Sequence, residues 1–262
     1  MRGNKTMNQA KPKIRKALIV LFWLVVWELA DRIIHNGLVL SGPVHVTEAL
    51  VNQMKKGDFW VICGASFGRI VLGFLLSFLA GFLLGLLAYR FHFMKDLLAP
   101  IMSLLKTVPM VSFVIMLLIW VGNQALTIYL SFLIVLPMIY TSTLSGMESV
   151  PQEMLEMADT YHLSKWRKFL YIYRPAVMPY LISNTKVSLG MSWKSGIMAE
   201  VIGTPEPSIG RELYQAKSFL QTADLFAWTI VVIVLSLLFE VVFLNLIRLF
   251  NKPMGRGIVH GR

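Results

Sequence analysis

Six stretches of this 262-residue sequence are strongly apolar: about Ala17 to Ile34, Ile70 to Tyr89, Leu97 to Val121, Ala125 to Leu144, Leu181 to Ile202 and Leu225 to Phe250. A helix needs roughly 20 such residues to cross the hydrocarbon of a bilayer. Lipid gives the backbone no hydrogen-bond partner, so a chain that crosses it repeatedly does so as helices. The expected class is all-α: a polytopic membrane protein with six transmembrane helices. Hydrophobic residues make up 56% of the chain and charged ones 15%, too apolar for a soluble domain of this length.

One run between these stretches is unusually polar, Glu153 to Pro179. Met154, Leu155, Ala158 and Tyr161 recur at helical spacing, as do Glu153, Glu156 and Asp159. A break is expected near His162-Leu163-Ser164. Ser164 suits the N-cap of a second helix carrying Lys165, Arg167 and Lys168 beside Trp166, Phe169, Leu170 and Ile172. Pro175 and Pro179 are expected to end it. A polar helix-break-helix between spans has no lipid to bury in, so its apolar stripes need a protein partner or the chain's own ends.

Charge orients the spans. The net charge is +11, as on a membrane protein whose basic loops face cytoplasm and anionic lipid; nucleic acid is not an expected partner. With the N-terminus inside, sixteen basic residues fall on inner segments, four of them Lys165, Arg167, Lys168 and Arg174. Only Arg32, Lys55, Lys56, Arg211 and Lys217, five in all, fall on outer loops. The expected organisation is a cytoplasmic basic tail 1–16, an uncleaved first span 17–34, an extracytoplasmic segment 35–69 with a helix over Val44 to Lys56, a core 70–250 containing the polar loop 153–179, and a cytoplasmic tail 251–262. Both termini then lie in the cytoplasm of a multi-pass plasma or inner-membrane protein.

Several chemistries have weak support. The single cysteine, Cys63, allows neither a disulfide framework nor a zinc cluster within the chain. His35, His45, His92, His162 and His260 form no H-x-x-x-H pair, so no metal or other cofactor is expected. No G-x-x-x-x-G-K-[ST] run is present, so ATP hydrolysis is expected on a separate subunit and this chain is not expected to be an enzyme. Gly64-Ala65-Ser66-Phe67-Gly68 matches G-x-S-x-G, but the hydrolase pattern needs a strand before the serine and here a helix is expected.

The polar run resembles the coupling loop of bacterial ABC-importer permeases: E-A-A, three residues, G, nine residues, I-x-L-P. Glu156, Ala158, Ile172 and Pro175 stand at matching positions, while Met157, His162 and Arg174 depart from the pattern. Histidine tolerates positive φ better than most residues, so the turn that Gly makes in the family is expected to survive at His162. The Leu-Ser-Gly-Pro run ending at Pro43, Ser66-x-x-Arg69-x-x-x-Gly73-Phe74, Ala199-Glu200-Val201-Ile202-Gly203 and Ser208-Ile209-Gly210-x-x-Leu213-x-x-Ala216 resemble the nitrate, sulfonate and taurine branch. The likeness runs over roughly Val39 to Phe250. It implies a type I importer permease fold and a pathway for a small solute, either a nitrate-, sulfonate- or taurine-like anion or a vitamin precursor. It also implies two permease copies in a homodimer, cytoplasmic ATPase subunits and an extracytoplasmic substrate-binding protein. The ATPase-coupling residues it points to are Glu153, Glu156, Met157, Ala158, Tyr161, His162, Leu163, Ile172 and Pro175. Ala158, being small, is expected to let the ATPase surface come close. A secondary transporter or channel without an ATPase is the alternative; inverted repeats would support it, and none is evident.

Charges inside the spans are functional candidates because burying one in lipid is costly. Lys106, Pro109, Lys194 and Glu200 are candidates for the translocation pathway. Snorkelling of the lysines, or pairing of Lys194 or Lys186 with Glu200, is the competing reading. Glu200 is also a candidate for packing the fifth span. The topology carries its own test. Cysteines introduced at Gln53 and Gln215 are expected to react with an impermeant thiol reagent added outside intact cells, and one at Lys165 only after permeabilisation; outside labelling at Lys165 would overturn the orientation.

Overall fold

The computed structural model describes residues 7–250, and among these every regular element is helical. In chain order α1 spans Met7–Ile34, α2 Pro43–Met54, α3 Phe59–Arg90, α4 His92–Thr107 and α5 Met110–Glu148. Then come α6 Gln152–Thr160, α7 Lys165–Lys168, a π-helical turn Phe169–Tyr173, α8 Arg174–Gly203, α9 Ile209–Ser218 and α10 Thr222–Phe250. Three helices among the described residues are long and apolar enough to cross a membrane: α3, α5 and, over Thr222–Leu249, α10. The other expected spans carry polar interruptions or are short. α1 contains Glu28, Asp31 and Arg32, α4 has 16 residues, and α8 carries Lys186, Lys194 and Glu200.

The described residues form two compact units, 7–62 with 212–231 and 63–211 with 232–250. In the first, Pro43 opens α2, where its fixed φ suits a helix start. Gln53 Nε2 donates to Asp224 Oδ1 at 2.7 Å and the Thr222 hydroxyl to the Leu38 carbonyl at 2.7 Å. Phe59 stacks on Trp228 with ring centres 5.3 Å apart. Gln53 is thus buried, and the exposed Lys56 is the better position for outside labelling.

The second unit is built round α5. Ile70 and Phe74 of α3, Val135 and Ile139 of α5, Leu189 and Trp193 of α8, and Phe239 and Phe243 of α10 form its largest apolar cluster. α3 begins well before Ile70, so Ser66 and Arg69 are helical residues rather than part of a loop. Glycines let the helices touch. A Cβ at Gly73 would stand 2.6 Å from the Ile128 carbonyl oxygen, one at Gly81 2.9 Å from Ile139 Cβ, and one at Gly85 2.6 Å from Thr143 Cβ. The Gly81-x-x-x-Gly85 pair is therefore a packing seam against α5.

From its sequence the expected third span, 97–121, has two points of interruption, Pro100 and Pro109, and the structure breaks at only the second. Pro100 sits inside α4 without stopping it. The stop is at Val108-Pro109, both extended with ψ 131°. Proline disfavours the helical conformation of the residue before it, and at 109 it coincides with the N-cap of α5. The next break is Gly122, with φ 72° and ψ 178°, a conformation open essentially to glycine alone. Phe113, Val114 and Leu117 before this kink share a cluster with Leu126 and Leu130 after it. In an unbroken helix residues 113 and 130 would lie about 25 Å apart. The break thus falls at Gly122, in the short gap 122–124 between the expected third and fourth spans.

The seam on α3 makes a stability prediction. Gly85→Leu forces side-chain atoms against the Thr143 side chain and the Tyr140 carbonyl oxygen, and overpacking of this kind costs about 1–3 kcal/mol. The detergent-solubilised variant is expected to lose its folded, monodisperse state at lower temperature than the parent. Gly64→Leu, where a Cβ meets nothing within 4 Å, is expected to behave as the parent; equal melting of all three would remove the seam from the account.

Candidate functional site

Two polar constructions stand out, one at each end of α8. At its N-terminal end lies the expected helix-break-helix. α6 ends in a turn where His162 has φ 52°. The His162 N–H donates to the Asp159 carbonyl and the Leu163 N–H to the Ala158 carbonyl, each at 2.9 Å. These are the two bonds of a left-handed helix cap, usually made with glycine. A side chain in this conformation costs about 1–2 kcal/mol, less for His than for a branched residue. The turn expected at His162 therefore forms despite the missing glycine. The Ser164 hydroxyl accepts from the Arg167 N–H, capping α7 as expected.

The interior of this hairpin is Val150, Ala158 and Ile172, with Leu155, Leu163, Tyr173 and Ala176 half-buried around them. Ala158 has no exposed surface. Its small size lets the two arms of the hairpin close on each other, and the expectation that a partner surface would press on this residue is corrected. What the hairpin leaves outside is a stripe one turn apart on α6 and its C-cap: Met154, Met157 and Tyr161, the last 76% exposed. Glu153 and Glu156 are also exposed, Glu156 accepting from Gln152 Nε2 at 3.0 Å. Lys168 pairs with Asp159 across the break. Near the hairpin's entrance Lys95 Nζ donates to Glu148 Oε1 at 2.6 Å, and this carboxylate holds the ammonium above the usual lysine range.

Pro175 and Pro179 do not end the second arm. The chain passes through the π turn into α8, with Pro175 in its first turn and Pro179 inside it. The Arg174 N–H reaches back five residues to the Phe169 carbonyl. The widened turn accommodates the N–H that Pro175 lacks, so a stop read from the sequence becomes a continuous rod.

At the C-terminal end of α8 the Glu200 side chain is fully buried. Its Oε2 accepts from the Ser66 hydroxyl at 2.7 Å and from the Gly210 N–H at 3.2 Å; its Oε1 accepts from Arg69 at 3.4 Å. Ser66 Oγ in turn accepts from the Ile209 N–H at 2.8 Å. Arg69 also donates to the Pro207 carbonyl at 2.8 Å and to Gln124 Oε1 at 3.2 Å, and Gln124 Nε2 donates to the Glu206 carbonyl at 3.3 Å. Gly210 is required by space: a Cβ there would stand 2.2 Å from Glu200 Cβ. Four separate sequence features, Ser66-x-x-Arg69, Gln124, Glu200 and Ser208-Ile209-Gly210, are one network. The sequence signal was the polar pair at helical spacing in an apolar run, although nothing there named its partner. Ser66 is committed to this network and lies within α3, not after the strand that the G-x-S-x-G pattern requires.

The pathway candidates separate. Glu200 is enclosed and paired with Arg69 rather than with Lys186 or Lys194. Lys106 is exposed and donates to the Thr141 hydroxyl at 2.9 Å. Pro109 is exposed at the α4–α5 break, and Lys186 and Lys194 are exposed on α8. Opposite them, α8 buries Thr185, Ser188, Ser192 and Ser195.

Comparison with known proteins agrees with this architecture. The chain is 25% identical over 253 residues to a protein named for aliphatic sulfonates transport, the permease SsuC of Bacillus subtilis, covering 96% of this chain and 89% of that one. It is 25% identical over 230 residues to the taurine transport permease TauC of Escherichia coli, covering 86% and 82%. In fold it is similar to a bacterial ABC transporter that imports the acidic polysaccharide alginate, with a TM-score of 0.62 at 16% identity over 95% of this chain and 99% of that one. Residues 73–256 match the family described as binding-protein-dependent transport system inner membrane component. With this match over most of its length, the chain belongs to that family and is a multi-pass inner-membrane permease subunit of an ABC importer.

Proposed function

We propose that the chain forms, with a second copy, the pathway of an ATP-driven importer for a small anionic solute, and that the α6–α7 hairpin docks a cytoplasmic ATPase. The observation that carries this is the exposed stripe Met154, Met157 and Tyr161 on a hairpin whose own core is already filled. An apolar stripe on a soluble loop is poorly placed in water, and large exposed apolar patches mark interaction sites. Because α6 follows α5 and the second arm runs unbroken into α8, a shift of the docked hairpin moves α8 and the part of α5 after Gly122 with it. In this reading six spans place both termini and the hairpin in the cytoplasm, in keeping with the charge split. Lys106 and Lys194 offer the solute successive cationic contacts on exposed faces of α4 and α8. The sulfonate and taurine transport named for two relatives favours an organic anion, delivered by a binding protein on the other side.

The test is retention of the ATPase on tagged permease, measured with solute uptake. Tyr161→Ala and Met157→Glu are expected to weaken retention about tenfold or more, the effect of one interface hot spot, while leaving the permease folded in the membrane. Ala158→Trp is expected to lose retention by a different route, opening the hairpin core. His162→Gly should preserve docking and His162→Val should weaken it, since the branched side chain meets the left-handed turn at about 1–2 kcal/mol. Full retention and uptake in both Tyr161→Ala and Met157→Glu would show that this stripe is not the docking surface.

A further inference from the structure

The exposed surface of α2 is divided lengthwise. Val46 and Gln53 face inward and are buried. Val44, Thr47, Val51 and Met54 form one exposed row at intervals of three and four residues. His45, Glu48, Asn52 and the C-cap Lys55 form a second exposed row, one residue on and thus about 100° round the axis. The first row is apolar but for a threonine, and the second is wholly polar. A helix lying in a bilayer surface is divided in this way, with one flank in the acyl boundary and the other among headgroups and water. The position of α2 agrees. Both ends of the segment are fastened to the first turn of α10, the Leu38 carbonyl by the Thr222 hydroxyl and Gln53 by Asp224, each at 2.7 Å. α2 therefore lies across the end of this span. Just inside that end is an aromatic layer. Trp27 of α1 meets Phe226 with ring centres 5.5 Å apart, and Phe59 of α3 meets Trp60 and Trp228 at 5.1 and 5.3 Å. Aromatic belts of this kind mark where spans leave the hydrocarbon. Beyond the layer α1 turns polar, with Glu28, Asp31 and Arg32. Asp224 is about 3–6 Å along the helix axis from Phe226 and Trp228, inside a headgroup zone of roughly 5–8 Å. The turn before α10 is apolar as well. Phe219 is 71% exposed, and Leu220, also exposed, holds φ 58° at a cap where glycine is usual. The Thr222 bond sets this turn beside the exposed Leu38 and Val39.

We propose that α2 is a lipid-contact helix. It lies in the bilayer surface at the end where α1 stops and α10 starts. Its row Val44, Thr47, Val51 and Met54 enters the acyl boundary, its row His45, Glu48, Asn52 and Lys55 stays among headgroups, and Phe219 and Leu220 insert beside it. The partner is the acyl–headgroup boundary itself. Glu48 and Lys55 offset each other in the polar row, so the contact is made by apolar insertion and calls for no anionic lipid in particular. Lipid already reaches this level: Ile33 and Ile34 of α1 and Trp60 and Val61 of α3 are exposed there. The helix thereby fixes the depth at which the ends of α1 and α10 sit. This needs only that the chain is embedded in a membrane, and it stands whether or not the α6–α7 hairpin docks an ATPase.

The experiment uses the full-length permease in vesicles of phosphatidylethanolamine and phosphatidylglycerol. Cys63→Ala removes the native thiol, so that one introduced cysteine carries a nitroxide. Its collisions with oxygen, which concentrates among acyl chains, and with a neutral nickel chelate, which stays in water, are measured by power saturation of the electron spin resonance signal. At Val44→Cys and Val51→Cys oxygen is expected to be the more effective relaxant. At Glu48→Cys and Asn52→Cys the order is expected to reverse, although Val51 and Asn52 are neighbours in sequence. High salt is expected to leave both orders unchanged, since screening weakens charge contacts and not apolar insertion. Met54→Cys and Lys55→Cys give the same pair of readings one turn on, should a label at Val51 or Asn52 disturb the fold. Nickel prevailing on both rows would put α2 in water and overturn the proposal. Oxygen prevailing on both would sink the whole helix in hydrocarbon and overturn it equally. An immobile label shielded from both relaxants at Val44 and Val51 would overturn it in favour of a protein, a second copy of this chain or another subunit, as the cover of the apolar row.

Discussion

Helices in lipid gain little by hiding apolar side chains from one another, because the surrounding chains are equally apolar. What holds this core together is therefore close contact of backbones round α5. Gly73, Gly81 and Gly85 of α3 lie against it on one side, and Gly146 of α5 lets Val177 of α8 approach so closely that a Cβ would stand 2.8 Å from Val177 Cα. Gly196 of α8 does the same for Ile70 of α3. Hydroxyls serve the same seam. Ser131 donates to the Ser192 carbonyl, Asn184 to Ser142, and Ser188 back to its own helix. Small residues and these hydrogen-bonded side chains give α3, α5 and α8 a contact that apolar bulk would prevent, and the hairpin and the Glu200 network both stand on helices that share it.

The hairpin follows from a different constraint. Its two arms close on each other at Ala158, where a small side chain is enclosed, and a left-handed residue closes the turn. That explains why Ala158 falls at a position where the family's pattern has a small residue, and why His162 is acceptable where glycine is usual: the requirement is a positive φ, not an absence of side chain. With its interior occupied, the hairpin can offer a partner only its outer stripe and its charged ends. The π turn then matters mechanically, because it joins the second arm to α8 without a hinge.

At the other end the electrostatics reverse the usual reading of an intramembrane charge. A carboxylate in a spanning helix invites assignment to the solute path. Glu200 is instead surrounded by donors from Ser66, Arg69 and Gly210, and no face of it is open. The lysines behave oppositely. Lys194 and Lys186 project from the exposed side of α8, while the hydroxyl-rich side packs inward.

By itself the sequence determined the class of the fold, because apolar runs of this length have few ways to satisfy their backbones in lipid. It also determined the hairpin: helical spacing, the Ser164 cap and a residue tolerant of positive φ are local signals, and local backbone energetics honoured them. Where it misled was in proline. Pro100 and Pro179 lie inside helices and Pro175 follows a π turn in the first turn of α8, whereas Val108-Pro109 and Gly122 break the chain. Which side of α6 faces inward, and which residue pairs with Glu200, were settled only by tertiary structure. Both turn on groups far apart in sequence: Ala158 meets Ile172 across a turn, and Glu200 meets Ser66 134 positions away. Periodicity reports how residues are arranged about one helix axis, and it carries no information about which other helix comes to stand beside it.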